Sequence, residues 1–165
     1  MAKKFTCEII TSEDKESVTP LVEELLSDIR PQDMEDLEAC GHDVTFVVIG
    51  SIKTSDETRI YRGEDGKLLC LFGKGWPSWE APGRQIWMLG TNELYKGYVK
   101  SVLFTEARRV LKKWVTQHGI VHNIVYEKNM KSVKYLSRLG ARWCPECLKN
   151  NGKRFFEFFI TEVKE

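Results

Sequence analysis

A chain of 165 residues, 42% hydrophobic and 30% charged with a net charge of +1, has the length of one domain and the composition of an ordinary globular protein. No apolar run approaches the roughly 18 residues of a membrane span. The first ten residues hold two lysines but no long apolar stretch after them, so no secretory leader is expected. Five cysteines, an odd number, point to reduced thiols in a cytosolic setting rather than to a disulfide framework.

In chain order, FTCEIIT (5–11) reads as a short strand. Thr19 is placed to cap a helix with Pro20 at its first position, and Leu21, Leu25 and Ile29 follow at helical spacing. Pro31 interrupts that pattern, and a second, acidic helix over about 32–40 stops at Gly41. Residues 43–55 carry β-branched residues that suit a strand. Val44, Val47, Val48 and Ile52 recur at helical spacing there, and helix is the reading adopted. TRIYRG, EDGK and LLCLFG form a hairpin around Asp65 and Gly66. Residues 73–84, rich in Gly and Pro and holding Trp76 and Trp79, are a loop, and QIWMLG is a strand. The strongest helix runs over 95–117, with Val99, Leu103, Ala107, Val110 or Leu111 and Trp114 as its apolar stripe and Gly119 as its stop. Trp114 is expected beneath the sheet. VHNIVYE is a strand, Asn129 caps a short helix ended by Gly140, and a turn at NNGK precedes FFEFFIT. Phenylalanines on both faces of that last strand place it in the middle of a sheet or against a partner.

The net charge conceals a split. Residues 1–83 carry nine Lys/Arg against seventeen Asp/Glu, whereas 84–142 carry twelve against three. Either the two segments neutralise each other where they meet, or a basic surface is left for phosphates, nucleic acid or an acidic partner. No nucleic-acid motif accompanies it. Cys144-Pro-Glu-Cys147 is one C-x-x-C pair and cannot complete a four-ligand zinc site, and His118 and His122 form no obvious partner pair, so no metal is expected. Trp76, Trp79 and Trp87 either line a ligand groove or bury a loop.

The element order and the series Asn129, Ser132, Leu136, Gly140 resemble the GNAT acetyltransferase superfamily, most clearly over 57–143. The resemblance implies a single α/β (α+β) domain over 1–165: a mixed central sheet with helices on both faces, and QIWML and HNIVY side by side, parallel and splayed toward Thr91 and Glu127. A narrower resemblance covers about 43–143. SIKTSDETRIYRGEDGKLLCLFG, IWMLGTNEL and NMKSVKYLSRLGARW look like the small acetyltransferase-like internal virion or virion-assembly proteins of short-tailed bacteriophages.

GNAT enzymes hold the pyrophosphate of acetyl-CoA on backbone amides of a Q/R-x-x-G-x-G/A loop at a helix N-terminus. Here that place reads LGTNELYKGYVKSV, with Gly97 as the one glycine beyond the strand end; Lys96 and Lys100 supply charge instead. The resemblance therefore places such a donor against Leu89, Gly90, Thr91, Lys96, Gly97 and Asn129. The tyrosine that these enzymes often use to protonate the leaving thiolate falls on Leu136, which has no proton to give; Tyr135 lies one residue, about 100° of helix, away. The phenylalanine usual after the glycine is Ala141. The first expectation is thus a non-catalytic or degenerate GNAT-fold phage protein, acting in virion assembly through a protein partner in the host cytoplasm or the virion, with no cofactor. The alternative is an acetyl-CoA-dependent N-acyltransferase using Tyr135. Without a glycine-lined cradle, acetyl-CoA is expected to bind with a Kd no better than roughly 1 mM.

Overall fold

One seven-stranded mixed sheet organises the chain in the computed structural model, which describes residues 5–75 and 83–165 apart from the side chain of Tyr98. The strands are β1 (Phe5–Thr11), β2 (Ser55–Gly63), β3 (Leu68–Gly75), β4 (Arg84–Gly90), β5 (Val121–Tyr126), β6 (Arg142–Asn150) and β7 (Lys153–Ile160), in the spatial order β1-β2-β3-β4-β5-β7-β6. The helices are α1 (Thr19–Ser27), α2 (Pro31–Ala39), α3 (Val44–Thr54), α4 (Gly97–His118) and α5 (Met130–Leu139).

Side chains alternate across the sheet and so divide the core in two. Ile60, Leu71 and Leu89 point to the face covered by α1, α2 and α3, where they meet Val22, Leu25, Val48 and Ile52. Tyr61, Phe72 and Ile86 point to the opposite face, where α4 brings Val99, Leu103, Val110 and Trp114. Helices therefore lie on both faces, as expected. Residues 44–54 are helical: Asp43 accepts a hydrogen bond from Phe46 N at 2.9 Å, and Val48 and Ile52 are fully buried. β7 lies between β5 and β6, which accounts for its aromatic residues on both faces.

β4 and β5 are parallel and pair only at Arg84–Val121 and Gln85–His122 before they diverge. The crossover through α4 returns the chain in the same direction, as such connections do.

Several boundaries differ from the sequence reading. Gly73 to Gly75 belong to β3 rather than to a loop, because both glycines allow close approach: a Cβ on Gly73 would stand 2.4 Å from the Trp87 ring, and one on Gly75 would stand 2.9 Å from Thr54 O. Gly73→Ala is accordingly expected to cost about 1–3 kcal/mol through displacement of Trp87, measurable by denaturant unfolding. Helix α4 starts at Gly97, not at 95, because Asn92–Tyr95 close a 3-10 turn first, capped by Thr91. Thr19 is the first residue of α1 rather than its cap, which is Val18. The C-x-x-C pair lies inside β6, where a register shift between Trp143 and Cys147 bulges the strand. The β6–β7 turn has Asn151 at φ 52° and Gly152 at φ 73°, the positive values that tight hairpins demand. Trp76 and Trp79 lie outside the described residues.

Candidate functional site

The divergence of β4 from β5 opens the middle of the sheet. Asn123 spans the narrow end, donating to Ile86 O at 2.6 Å and accepting from Gln85 Nε2 at 3.0 Å. Beyond it two cavities meet. The first, about 290 Å³, passes through the opening and is walled by α2 and α3 residues on one side and by Leu111, Tyr135 and Leu139 on the other. The second, about 350 Å³, lies between α4 and α5 and is bordered by Lys100, Lys131, Lys134 and Arg138. Tyr135, Ser132, Phe72, Met88, Ala107 and Arg30 border both.

Helix α5 explains how Tyr135 reaches this junction. Its Asn129 cap accepts from Ser132 N at 3.2 Å, and Gly140 ends it at φ 112°. Ser132, Tyr135, Leu136 and Leu139 stand at i, i+3, i+4 and i+7 and form the stripe facing the opening. The centre of that stripe falls between Tyr135 and Leu136, so both point inward. The 100° offset does not turn Tyr135 away, as position counting alone suggests; a stripe this wide admits both residues. The Tyr135 ring is held edge-on by Phe104, with centroids 5.4 Å apart. Its hydroxyl has no hydrogen-bond partner among the described residues, and burial keeps it protonated well above the ordinary phenol range, Cys70 nearby adding to this.

The wide end of the opening is clasped by the α1–α2 connection. Arg30 N donates to Gly90 O at 2.9 Å, and Gly90 N donates to Asp33 Oδ2 at 2.7 Å. Ile29 forms a bridge with Thr91, and Asn92 N donates to Asp28 O. Asp33 also receives Arg30 Nε at 2.8 Å; desolvation raises its pKa and the Arg30 charge opposes the rise. One turn further along α2, Asp36 Oδ1 accepts from Tyr126 N at 2.9 Å and Oδ2 from Asn129 Nδ2 at 3.4 Å. Burial pushes the Asp36 carboxyl up to about 6. Sequence reading missed Asp33 and Asp36. Their i, i+3 spacing, with both facing one side of a helix, was the available signal, but nothing in the sequence tied that helix to the end of β4.

The residues expected to hold a donor are distributed unevenly. Leu89 and Met88 line the opening, and Met88, two residues before Gly90, turns its N–H and C=O to the same side as Gly90, where β5 has already diverged. Gly90 has both backbone groups engaged by the clasp. Thr91 is buried and donates to Leu68 O at 2.7 Å. Asn129 works as a helix cap and as the Asp36 partner. Lys96 is ion-paired with Glu93. Gly97 begins α4 with open space beside it, so the first amides of that helix face outward from a plain helix start. Among the ion pairs of described residues, Arg84–Asp56 at 3.4 Å is the one joining a base of 84–142 to an acid of 1–83. Lys100, Lys131, Lys134 and Arg138 around the α4–α5 cavity are exposed. No group of three or more His, Cys, Asp or Glu that could hold a metal occurs among the described residues. No described helix is long and apolar enough to cross a membrane.

The splayed parallel pair, with a long crossover helix and a helix whose stripe enters the gap, can be compared with known structures. The fold is that of the GNAT acetyltransferases. An aminoglycoside N(6')-acetyltransferase from Legionella pneumophila superposes with a TM-score of 0.64 at 12% identity, over 97% of this chain and 93% of that one. A spermidine N-acetyltransferase from Vibrio cholerae, solved with CoA and spermine, gives 0.63 at 10% identity over 95% of each chain. An IAA acetyltransferase from Bacillus cereus gives 0.57 at 10% identity, over 94% and 98%. At such identities the likeness establishes the GNAT fold. No protein-family model and no curated protein matches the sequence. The narrower phage-protein likeness has no counterpart among these structures.

Proposed function

We propose that this protein is an acyl-CoA-dependent N-acyltransferase, with the thioester arriving through the basic α4–α5 cavity and an amine through the cavity bordered by α2 and α3. The observation that carries the reading is the position of Tyr135: its unpartnered, protonated hydroxyl stands where the two cavities join. The side chains present fit an acyl-CoA. Lys100, Lys131, Lys134 and Arg138 supply the positive charge that a diphosphate needs, in place of a glycine-lined loop. Met88 offers a backbone rung to the amides of an extended arm. The thioester supplies the acyl group and a thiolate leaving group. Tyr135 donates its proton to the departing sulfur, and the apolar walls of Phe72, Met88 and Ala107 exclude water from it. The test is calorimetric titration with acetyl-CoA. Saturable binding with a Kd below about 1 mM in 0.15 M salt is expected, weakening steeply as salt screens the lysines.

A second reading, a partner-binding role in virion assembly without catalysis, is favoured by the clasp at Gly90, which occupies backbone groups that an arm along β4 would otherwise use. Absence of acetyl-CoA binding in the same titration overturns the first reading.

A further inference from the structure

Asp36 is a carboxylate without a counter-charge in a cavity of apolar character. Asp33 beside it is paired with Arg30, whereas among the described residues Asp36 has no ion pair, only the N–H of Tyr126 and the amide of Asn129. The remaining walls of its cavity are mainly hydrocarbon and aromatic: Leu37, Val47, Trp87, Ile124, Leu139 and Phe155. An unpaired carboxylate removed from water is costly unless a cation joins it. The polar side chains that also line it are largely engaged already, Gln85 with Asn123, Arg30 with Asp33 and Ser51 with Val47 O, so the further polar groups of a polyamine or an aminated sugar would find few partners.

We propose that the acceptor of this enzyme is a primary amine on a small apolar body, such as an arylalkylamine, and that Asp36 is the base that receives its ammonium and removes the proton. The inference rests on the acyltransferase reading and names the substrate class and the base of that same site. The ammonium gives one proton to Asp36, freeing the nitrogen lone pair. A nitrogen–carbon bond forms to the acyl carbon as the carbon–sulfur bond breaks, and the sulfur takes the proton of Tyr135. The second nitrogen proton restores Tyr135, directly or through water, and Asp36 releases its own to solvent. One amide, one thiol and one proton result.

The groups around Asp36 favour this role. Asp33 and Glu35 on the same helix repel its charge, and Cys40 lies one turn further along. Arg30 at the start of α2 is engaged by Asp33. From β5 comes the Tyr126 N–H, its phenol buried with Ala39 and Phe155, and from the start of α5 the Asn129 amide. Tyr135 is the other titratable group on the wall of this cavity facing it from α5. Desolvation, the largest cause, leaves Asp36 titrating at about 6, so it is ionised at neutral pH to hold the ammonium and can accept its proton as the nitrogen attacks the acyl carbon.

The test measures CoA release from acetyl-CoA with phenethylamine, benzylamine, hexylamine and spermidine as acceptors across pH 5–9.5. Phenethylamine or hexylamine is expected to exceed spermidine at least tenfold in kcat/KM. The wild-type profile is expected to rise through about pH 6 and then stay level until the free ammonium itself loses its proton, with the same rising limb for phenethylamine as for the less basic benzylamine. Asp36→Asn is expected to lower kcat/KM at pH 7 by on the order of 100-fold and to replace the plateau with a rise that follows the free amine upward. Glu38→Gln, an exposed carboxylate on the same helix that does not act on Asp36, is expected to leave the profile unchanged. A preference for spermidine, a wild-type rising limb that moves with the basicity of the amine, or an unaltered profile in Asp36→Asn overturns the inference while leaving acyl transfer in place. If Asp36→Asn does not fold, the two wild-type comparisons decide the matter alone. Failure of acetyl-CoA to bind overturns both this inference and the reading beneath it.

Discussion

Replacement of Trp114 by alanine is expected to destabilise the protein by about 3–5 kcal/mol, the usual cost of emptying a large aromatic site. For a domain of this size that lowers the melting temperature by on the order of 10 °C. Trp114 is wholly inaccessible to solvent, at the far end of the α4 stripe, with its ring 4.6 Å from that of Phe72. Two losses coincide in the variant. The cavity forfeits contacts with the underside of the sheet, and Glu57, whose Oε2 accepts from the indole N–H at 2.8 Å, loses a donor in a largely buried position. Trp114→Phe separates the two, since it keeps most of the volume and removes only the donor; it is expected to cost less than half as much. Chemical denaturation read by near-ultraviolet dichroism checks both variants. A Trp114→Ala protein that melts within a degree or two of the parent would show that the α4 face has been assigned wrongly.

Loss of the Tyr135 hydroxyl is the other large effect. Tyr135→Phe is expected to lower kcat by about 10²–10⁴-fold, the span of general acid catalysis, with little change in the binding of acetyl-CoA. The ring that Phe104 holds stays in place, so thermal stability is expected to move little. The pH dependence has a definite sign. A phenol held above its usual range remains a donor throughout neutral and mildly alkaline conditions, so a falling limb assigned to Tyr135 appears only above about pH 10. Leu136→Tyr in the Tyr135→Phe background is a useful companion, since both positions face the junction; partial recovery of turnover would show that the stripe, rather than one exact position, presents the acid. An unchanged kcat in Tyr135→Phe would remove this tyrosine from the chemistry.

The helices with a regular apolar stripe were legible in the sequence, and so were the hairpin at Asp65-Gly66 and the parallel relation of β4 and β5. For the helices and the hairpin the determinant is local, a 3.6-residue period, a turn residue or a cap, whereas the parallel pair follows from the crossover that α4 makes. The ambiguous stretch over 43–55 resolves as helix because Val48 and Ile52 find a buried face, a tertiary fact that β-branching alone would have overridden. The extent of β3 was not legible. Gly73 and Gly75 read as loop residues, and only the facing Trp87 and the backbone of Thr54 show that they are strand positions left small for lack of room. Around the site, Tyr135 and the Asn129 cap of α5 could be named from a pattern, whereas Gly97 lies at a helix start away from both cavities. The clasp of Arg30 and Asp33 on Gly90 and the unpaired state of Asp36 could not, because each joins α2 to residues about sixty to ninety positions away in the chain.

Because β4 and β5 share only two paired residues, the sheet is in mechanical terms two ribbons rather than one. β1 to β4 form an antiparallel ribbon, and β5 joins β7 and β6 in a second one that cannot be completed until the last strand is in hand. Within the ribbons β2–β3, β3–β4 and β6–β7 pair between neighbours in the chain and can form early, whereas β1–β2 and β5–β7, like the seam, wait for distant segments to meet. The same seam is then the place where the native state parts most easily, and amides bordering it exchange with solvent before those inside either ribbon. A binding site set along that seam draws its room to open from the weakest line in the molecule, while the backbone ladders on both sides stay whole.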